Sequence, residues 1–493
     1  MTTPLSGKQQ HPVALVTRLL PILFFEAWLT FTLLGFFFGT RTWGNDNLWQ
    51  IALYALTGQL MLFLGYMSAI NTAPKVLRSH KCLPPIAKQI EWFVLVCSIV
   101  TIIYYSISIY KLGYAPDRFF FNLLNPGTAY NMYQKLPRVP ATGWYARGQI
   151  FVSFFIIMSL PVICVFWSRL SPGIKVLALL TIFLRLAYFM SIGTNKVIFE
   201  TIVTISVFSW IGLYGGRRLK GKEIAWYGAF VSAMCFLFCI YFCYGIHQRT
   251  GGWKESSSYS AGTTVLSTEE HVRRISRQLN ETNNYGNRGA SVPAQSVPIQ
   301  TVTSEDKPPS VVFTINRQHP IIKYTPKWFS QGVLSIEFYV CQGYSALGYS
   351  LTCPWKWTYG FGHSLSMLVA VERKFPELQV LNRSFPGQIE KKYGYPIMTH
   401  WHSIYPWLAS DLSFAGVLVF ILFLGRYLCM TWIDSISRAN IVSPTLCFLF
   451  CIACFFIPCN NQIMQSTNYE FAFILLFLIW FFMAKEIRPL PAC

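Results

Sequence analysis

The stretch IAWYGAFVSAMCFLFCIYFCYGIHQRTGGWKESSSYS, residues 224–260, changes character at Gly245. From Ile224 to Gly245 it carries no charge. It is long enough to cross a bilayer as one helix, which takes about 20 apolar residues at 1.5 Å rise each. Beyond His247 the chain turns polar and stays so to about Tyr405. The protein therefore reads as two blocks of spans, residues 1–246 and 406–493, holding one large water-facing loop, residues 247–405.

Composition agrees with that outline. Of 493 residues, 53% are hydrophobic and 12% charged, whereas charged side chains make up about a quarter of an average soluble protein. The expected fold is an all-α polytopic membrane protein. Working back from residue 224, apolar runs fall near 19–38, 48–70, 91–110, 149–167, 174–192 and 197–214; working forward they fall near 407–430, 441–458 and 469–483. That makes ten spans, or twelve if the shorter apolar stretches 329–351 and 361–371 also cross. We expect those two stretches to dock in the interface or re-enter the bundle, where protein surrounds any irregular backbone. The first run is long and lacks a small-residue cleavage pattern, so it is expected to remain as a span.

Two short loops fix the orientation. Residues 71–89 hold Lys75, Arg78, Lys81 and Lys88 without an acid, and residues 215–223 hold Arg217, Arg218, Lys220 and Lys222. Short basic loops mark the cytoplasmic side. Both termini then lie inside and the large loop outside.

The net charge of +20 comes from 40 Lys and Arg against 20 Asp and Glu. It is spread over loops with no recognisable nucleic-acid module, so anionic lipid and phosphate-bearing substrates are the expected partners. From Arg249 to Lys392 the loop holds 16 Lys and Arg against 10 Asp and Glu. Arginine suits bidentate grip on phosphate oxygens. Arg249 leaves a span at the outer surface, and Ser267 with Glu270 forms a capping box that predicts a helix placing Arg273 and Arg277 on one face. Arg147 stands in the shorter outer loop. Within the spans, Arg185 and Glu26 need a partner or a cavity; Glu200, across the hairpin at residues 193–196, is the expected partner of Arg185.

For acid–base work the loop offers His247, His271, His319, His363, His400 and His402, with Glu337, Glu372 and Asp411. Glu337 sits in Ser335-Ile336-Glu337-Phe338-Tyr339, an apolar setting that would raise its pKa toward the range of a general base. Asp411 is also placed to cap the span it opens. No Asp-x-Asp pattern, phosphate-cradling glycine loop or zinc spacing occurs, so no metal or other cofactor is expected. The fourteen cysteines lie mostly inside spans; Cys341 and Cys353 are candidates for a disulfide if they face an oxidising compartment.

The segments Phe338-Tyr339-Val340-Cys341-Gln342-Gly343-Tyr344-Ser345-Ala346-Leu347-Gly348 and Trp357-Thr358-Tyr359-Gly360-Phe361-Gly362-His363-Ser364 resemble the aromatic Gln-Gly-Tyr and Tyr-Gly-x-Gly stretches of Wzy-type O-antigen polymerases. Residues 191–196 (SIGTNK), 125–130 (NPGTAY) and 410–416 (SDLSFAG) add to the likeness. The resemblance is scattered over most of the chain in short pieces. It implies a bacterial inner-membrane glycosyltransferase, a GT-C-like bundle with its active loop in the periplasm. Such an enzyme joins undecaprenyl-diphosphate-linked oligosaccharide units without nucleotide or metal, with a chain-length regulator as a further partner. On that reading Arg249, Arg273 and Arg277, with Arg147 second, contact diphosphate. Glu337 or His363 is the base, and Tyr344 of the Gln-Gly-Tyr stretch contacts glycan. The family's Arg-x10-Gly pattern is not matched, because Gly262 lies two residues too far from Arg249. An O-antigen ligase shares this architecture and chemistry, and a lipid-linked oligosaccharide flippase is the competing transporter reading. A purely structural or signalling membrane protein is the remaining class.

Overall fold

A computed structural model describes residues 15–71, 87–112, 116–135, 144–214, 220–249, 313–397, 400–437 and 440–485. Its elements are α1 (Leu15–Phe38), β1 (Arg41–Thr42), α2 (Leu48–Ile70), α3 (Ala87–Lys111), α4 (Pro116–Leu124), α5 (Pro126–Lys135), α6 (Trp144–Phe166), α7 (Pro172–Ser191), α8 (Lys196–Tyr214) and α9 (Gly221–Arg249). After them come β2 (Thr314–Ile315), α10 (Pro320–Tyr324), α11 (Lys327–Ser350), α12 (Leu365–Lys374), α13 (Val380–Arg383), α14 (Phe385–Tyr393), α15 (Ile404–Ser437), α16 (Ser443–Phe456) and α17 (Thr467–Lys485). Among the described residues eight helices, α1, α2, α3, α6, α7, α8, α9 and α15, are long and apolar enough to cross a membrane. The chain is an all-α polytopic membrane protein.

The helices form two packed groups. One joins α3, α6, α7 and α8; the other joins α1, α2, α11 and α15. The groups meet where α16 and α17 lie against α6. Lipid tails are as apolar as leucine, so the drive to pack helices inside a bilayer is close van der Waals contact, which small residues permit. The pair α2 and α15 does this reciprocally: a Cβ on Gly65 would stand 1.8 Å from the Leu422 carbonyl oxygen, and one on Gly425 would stand 2.1 Å from that of Leu62.

The two shorter apolar stretches take different forms. The run at 329–351 is one continuous helix, α11, packed inside the bundle against α1 and α9. The run expected at 361–371 starts as a helix only at Leu365, because Ser364 caps it by accepting the Met367 N–H. The ninth expected span is short. Its helix, α16, has 14 residues, about 21 Å at 1.5 Å per residue, against a hydrocarbon core of about 30 Å. Nearly all of its side chains are buried in protein. Cys341 and Cys353 are free thiols; Cys341 lies within α11 and Cys353 just past its end. Twelve helical positions span about 18 Å, far beyond the reach of a disulfide.

β1 and β2 pair antiparallel, Arg41 with Ile315 and Thr42 with Thr314. This two-rung ladder ties the end of α1 to the segment leading into α11. The helix expected around Arg273 lies outside the described residues.

Filling the α2–α15 crossing should be costly, because both atoms facing the glycines are backbone. Gly425→Val or Gly65→Val is expected to destabilise by about 1–3 kcal/mol or more. The check is a thermal melt of the detergent-solubilised protein read by size-exclusion recovery; an unchanged midpoint would contradict the close crossing.

Candidate functional site

At one end of the bundle the loop 351–364 folds back onto the start of α15. Four donors converge on the Asp411 carboxylate. The Gly362 N–H reaches Oδ1 at 3.0 Å, the His363 N–H reaches Oδ2 at 2.9 Å, and the Thr358 hydroxyl also donates to Oδ1. The fourth is the His363 ring, whose Nδ1 lies 2.9 Å from Oδ2. Gly362 is required there, since a Cβ would stand 2.1 Å from the Thr358 hydroxyl oxygen. Asp411 therefore secures the loop and is not the helix cap expected of it.

The other ring nitrogen of His363, Nε2, lies 3.2 Å from Oε1 of Glu470, in the first turn of α17. The Ser364 hydroxyl donates to the second oxygen of Glu470 at 3.1 Å, and the Asn461 amide donates to the His363 carbonyl at 2.8 Å. His363 is the open member of the trio: its side chain is 24% exposed, against 8% for Asp411 and 3% for Glu470. Burial alone would lower the pKa of this imidazole, but hydrogen bonds and charge from Asp411 and Glu470 outweigh it and push the pKa up to about 9. The ring holds its proton at neutral pH. It can act as a base only after its Nε2 proton passes to Glu470, leaving an imidazole oriented by Asp411, which is the arrangement of a base with its orienting acid.

Beside this trio lies a second polar cluster. Arg185 Nη2 is 3.9 Å from Oε2 of Glu200, Lys196 Nζ is 3.8 Å from Oε1, and the Tyr469 hydroxyl donates to Oε2 at 2.7 Å. The Lys196 ammonium also stands 5.0 Å from the Tyr469 ring centre. Glu200 pairs with Arg185 across the hairpin as the sequence suggested. Tyr469 and Glu470 are adjacent, so the first turn of α17 joins the two clusters. Glu26, the other intramembrane acid singled out in the sequence, is half-buried midway along α1 with its Oε1 unpaired.

Two more of the resembling segments, residues 125–130 and 191–196, dock together beside these clusters. The Pro126 carbonyl passes 2.1 Å from where a Cβ on Gly193 would be, and Gln248 bonds both the Gly127 N–H, at 3.0 Å, and Oδ1 of Asn125, at 3.1 Å. The end of α9, the 125–130 stretch and the 193–196 hairpin are thereby docked together.

Of the expected site residues, His363 is in the trio. Glu337 is elsewhere, buried on α11, where it accepts the N–H groups of Thr40 at 2.9 Å and Arg41 at 3.0 Å and the Thr40 hydroxyl. A carboxylate so occupied holds the turn after α1 in place. Tyr344 is 1% exposed, with its hydroxyl 3.2 Å from that of Thr32 and its ring 5.6 Å from Phe36. It is a core residue, out of reach of a glycan. Arg147 and Arg249 lie in α6 and α9, with side chains outside the description, and Arg273 and Arg277 lie outside the described residues. Glu470 was missed: it is an isolated acid opening an apolar span, a signal the sequence carries.

The other described histidines have different surroundings. His247 Nδ1 is 2.9 Å from Oε1 of Gln331, and His319 caps α10 by accepting the Ile321 N–H. Burial pushes His400 down to about 4 and His402 to about 3, so both are neutral. No family model, curated protein or solved structure matches the chain.

Two outcomes follow. His363 has a folded pKa above its ordinary 6.5, so its stabilising contribution is complete below that value and is lost as pH rises through about 9. The melting temperature of the wild type should therefore fall between about pH 7 and pH 9.5, more steeply than that of His363→Gln, in a pH-series of thermal melts. For the buried ion pair, Arg185→Met leaves Glu200 with Lys196 as its remaining cation and should cost less than the about 3–5 kcal/mol of a fully stranded buried charge, while Arg185→Met with Glu200→Gln should recover much of the loss, in the same melts.

Proposed function

We propose that this protein is an O-antigen polymerase. It is read as a membrane glycosyltransferase of GT-C-like architecture that joins undecaprenyl-diphosphate-linked oligosaccharide units at the periplasmic face of a bacterial inner membrane. The observation that carries the reading is the His363–Asp411–Glu470 trio. Two of the segments that resemble the polymerases, residues 357–364 and 410–416, supply His363 and Asp411, and they meet at the loop end of the bundle.

In the proposed reaction the Nε2 proton of His363 moves to Glu470. An acceptor-sugar hydroxyl then gives its proton to Nε2 while its oxygen bonds to the anomeric carbon of the donor glycan. The bond from that carbon to the diphosphate oxygen breaks, and undecaprenyl diphosphate leaves with the electron pair. The diphosphate is the activated leaving group, so the transfer draws on no nucleotide donor. Charge develops on it at the membrane surface, where fixed cations stabilise it. Lys196 on the hairpin is 38% exposed and adjoins the trio through Tyr469, which makes it the described cation best placed to help. The loop arginines 249, 273 and 277 remain the proposed diphosphate contacts, with Arg147 second.

The test is the lipopolysaccharide ladder of cells lacking the native gene and complemented with wild type, His363→Ala or Asp411→Asn, with membrane expression confirmed. Wild type should restore the ladder over a null that shows lipid core with a single repeat unit, and both variants should lower polymerisation by about 100-fold or more. Bare core with long lipid-linked glycan would make the protein a ligase, and repeat units trapped on the cytoplasmic face would make it a flippase. A full ladder from both variants would remove the trio from the chemistry.

A further inference from the structure

The loop that brings His363 to Asp411 also carries aromatic side chains that are exposed over much of their surface. Trp355 is 50% exposed, Trp357 52% and Tyr359 37%. The backbone beneath them is fixed and strained. Tyr359 and Gly360 both have positive φ, 58° and 84°, and the Phe361 N–H donates to the Thr358 carbonyl at 3.1 Å. This is a four-residue turn with two left-handed central residues, a form that Gly, Asn and Asp normally dominate. A tyrosine there costs about 1 kcal/mol or more. An exposed tyrosine returns little of that cost through packing.

Neighbouring groups hold the ring at a set angle. The Arg383 guanidinium lies 5.1 Å from the Tyr359 ring centre, and its Nε donates to the Leu378 carbonyl at 3.2 Å. Trp357 stands 5.2 Å from Tyr359 with the ring planes inclined at 55°. Thr358, between the two aromatics, is fully buried, and its hydroxyl, which donates to Asp411, also lies 2.9 Å from the Ser410 carbonyl oxygen. The two rings are thus an exposed, braced pair on the segment that ends in His363.

We infer that Trp357 and Tyr359, braced by Arg383, form a stacking platform for a pyranose ring of the glycan. The apolar C–H face of a sugar presents weakly positive hydrogens, and an aromatic face presents the negative side of its quadrupole. Rings locked in advance bind such a face without further ordering cost. The site would hold a sugar unit of the oligosaccharide while one of its neighbours reaches His363. Anchoring in the headgroup layer is the other common use of exposed tryptophan; it calls for no strained tyrosine and no link to an acid–base trio. The platform rests on the polymerase reading above.

The experiment uses full-length protein in nanodiscs. The probe is the oligosaccharide released by mild acid from the host's own lipid-linked repeat units, and binding is followed by saturation-transfer NMR with titration. The variants are Trp357→Ala and Tyr359→Gly, with Trp328→Ala as an exposed aromatic outside the platform. Glycine suits the positive φ at 359, so Tyr359→Gly should melt no lower than wild type. Both platform variants should bind the oligosaccharide about tenfold more weakly, equivalent to about 1.4 kcal/mol, and Trp328→Ala should bind as wild type does. Equal binding by all variants, or equal loss in Trp328→Ala, overturns the platform. So does loss of brominated-lipid quenching on removing Trp357, which would place that ring in the bilayer. If wild type restores the glycan ladder and binds the oligosaccharide while the platform variants bind equally well, only the platform falls. If wild type neither restores the ladder nor binds, the polymerase reading falls with it.

Discussion

The carboxylate of Asp411 organises the loop end of this protein. It stands at the opening of α15 and receives two backbone N–H groups, a threonine hydroxyl and an imidazole from one short stretch, residues 358–363. Hydrogen bonds to an ionised acceptor are about twice as strong as neutral ones. Convergence of four on one group also fixes orientation. The irregular loop consequently has one conformation, and the same contacts that close it aim His363 at Glu470. The contacts that support the loop are also those that orient the His363 ring.

That arrangement depends on a break in α15. Ser413 lies two residues beyond Asp411 with φ 60° and ψ 167°, a region nearly reserved for glycine. The helix is interrupted at the level where the loop docks, and the Phe414 carbonyl accepts the Tyr54 hydroxyl at 2.7 Å. Ser410, three residues before the break, donates its hydroxyl to Pro406 and accepts the Phe385 N–H at 3.0 Å. In an apolar surrounding a freed backbone group must find a protein partner. These side chains supply partners around the interruption.

Much of the bundle was legible in the sequence because its signal is local. A charge-free run of about 20 residues reads as a span from its own composition, and Arg185 and Glu200 could be matched because only one hairpin separates them. The site was legible only in pieces. His363 and Asp411 each stood out within a segment, yet the contact between them and the arrival of Glu470 from the last helix are long-range facts with no local trace. Glu337 shows the opposite error. Its sequence neighbours are apolar, so the role of a base was inferred, but its carboxylate is taken up by the backbone of Thr40 and Arg41, nearly three hundred residues away along the chain. Tyr344 fails similarly: it shares a helical face with Cys341 and Leu347, and that face turns into the core.

The first turn of α17 gives the two polar clusters a common fate. Tyr469 donates to Glu200, while Glu470 meets His363 and Ser364. Consecutive residues of a helix point about 100° apart, so one turn can serve two separate groups. Within a bilayer a buried ion left without its partner is far more costly than the pair itself is stabilising. A displacement of α17 large enough to release Glu470 from His363 would therefore also strain the Tyr469 contact with Glu200 and, through it, the hairpin between α7 and α8. The trio is tied through Tyr469 to the charge pairing of a neighbouring helical group, and the two groups cannot separate at this end without breaking a contact to a buried ion.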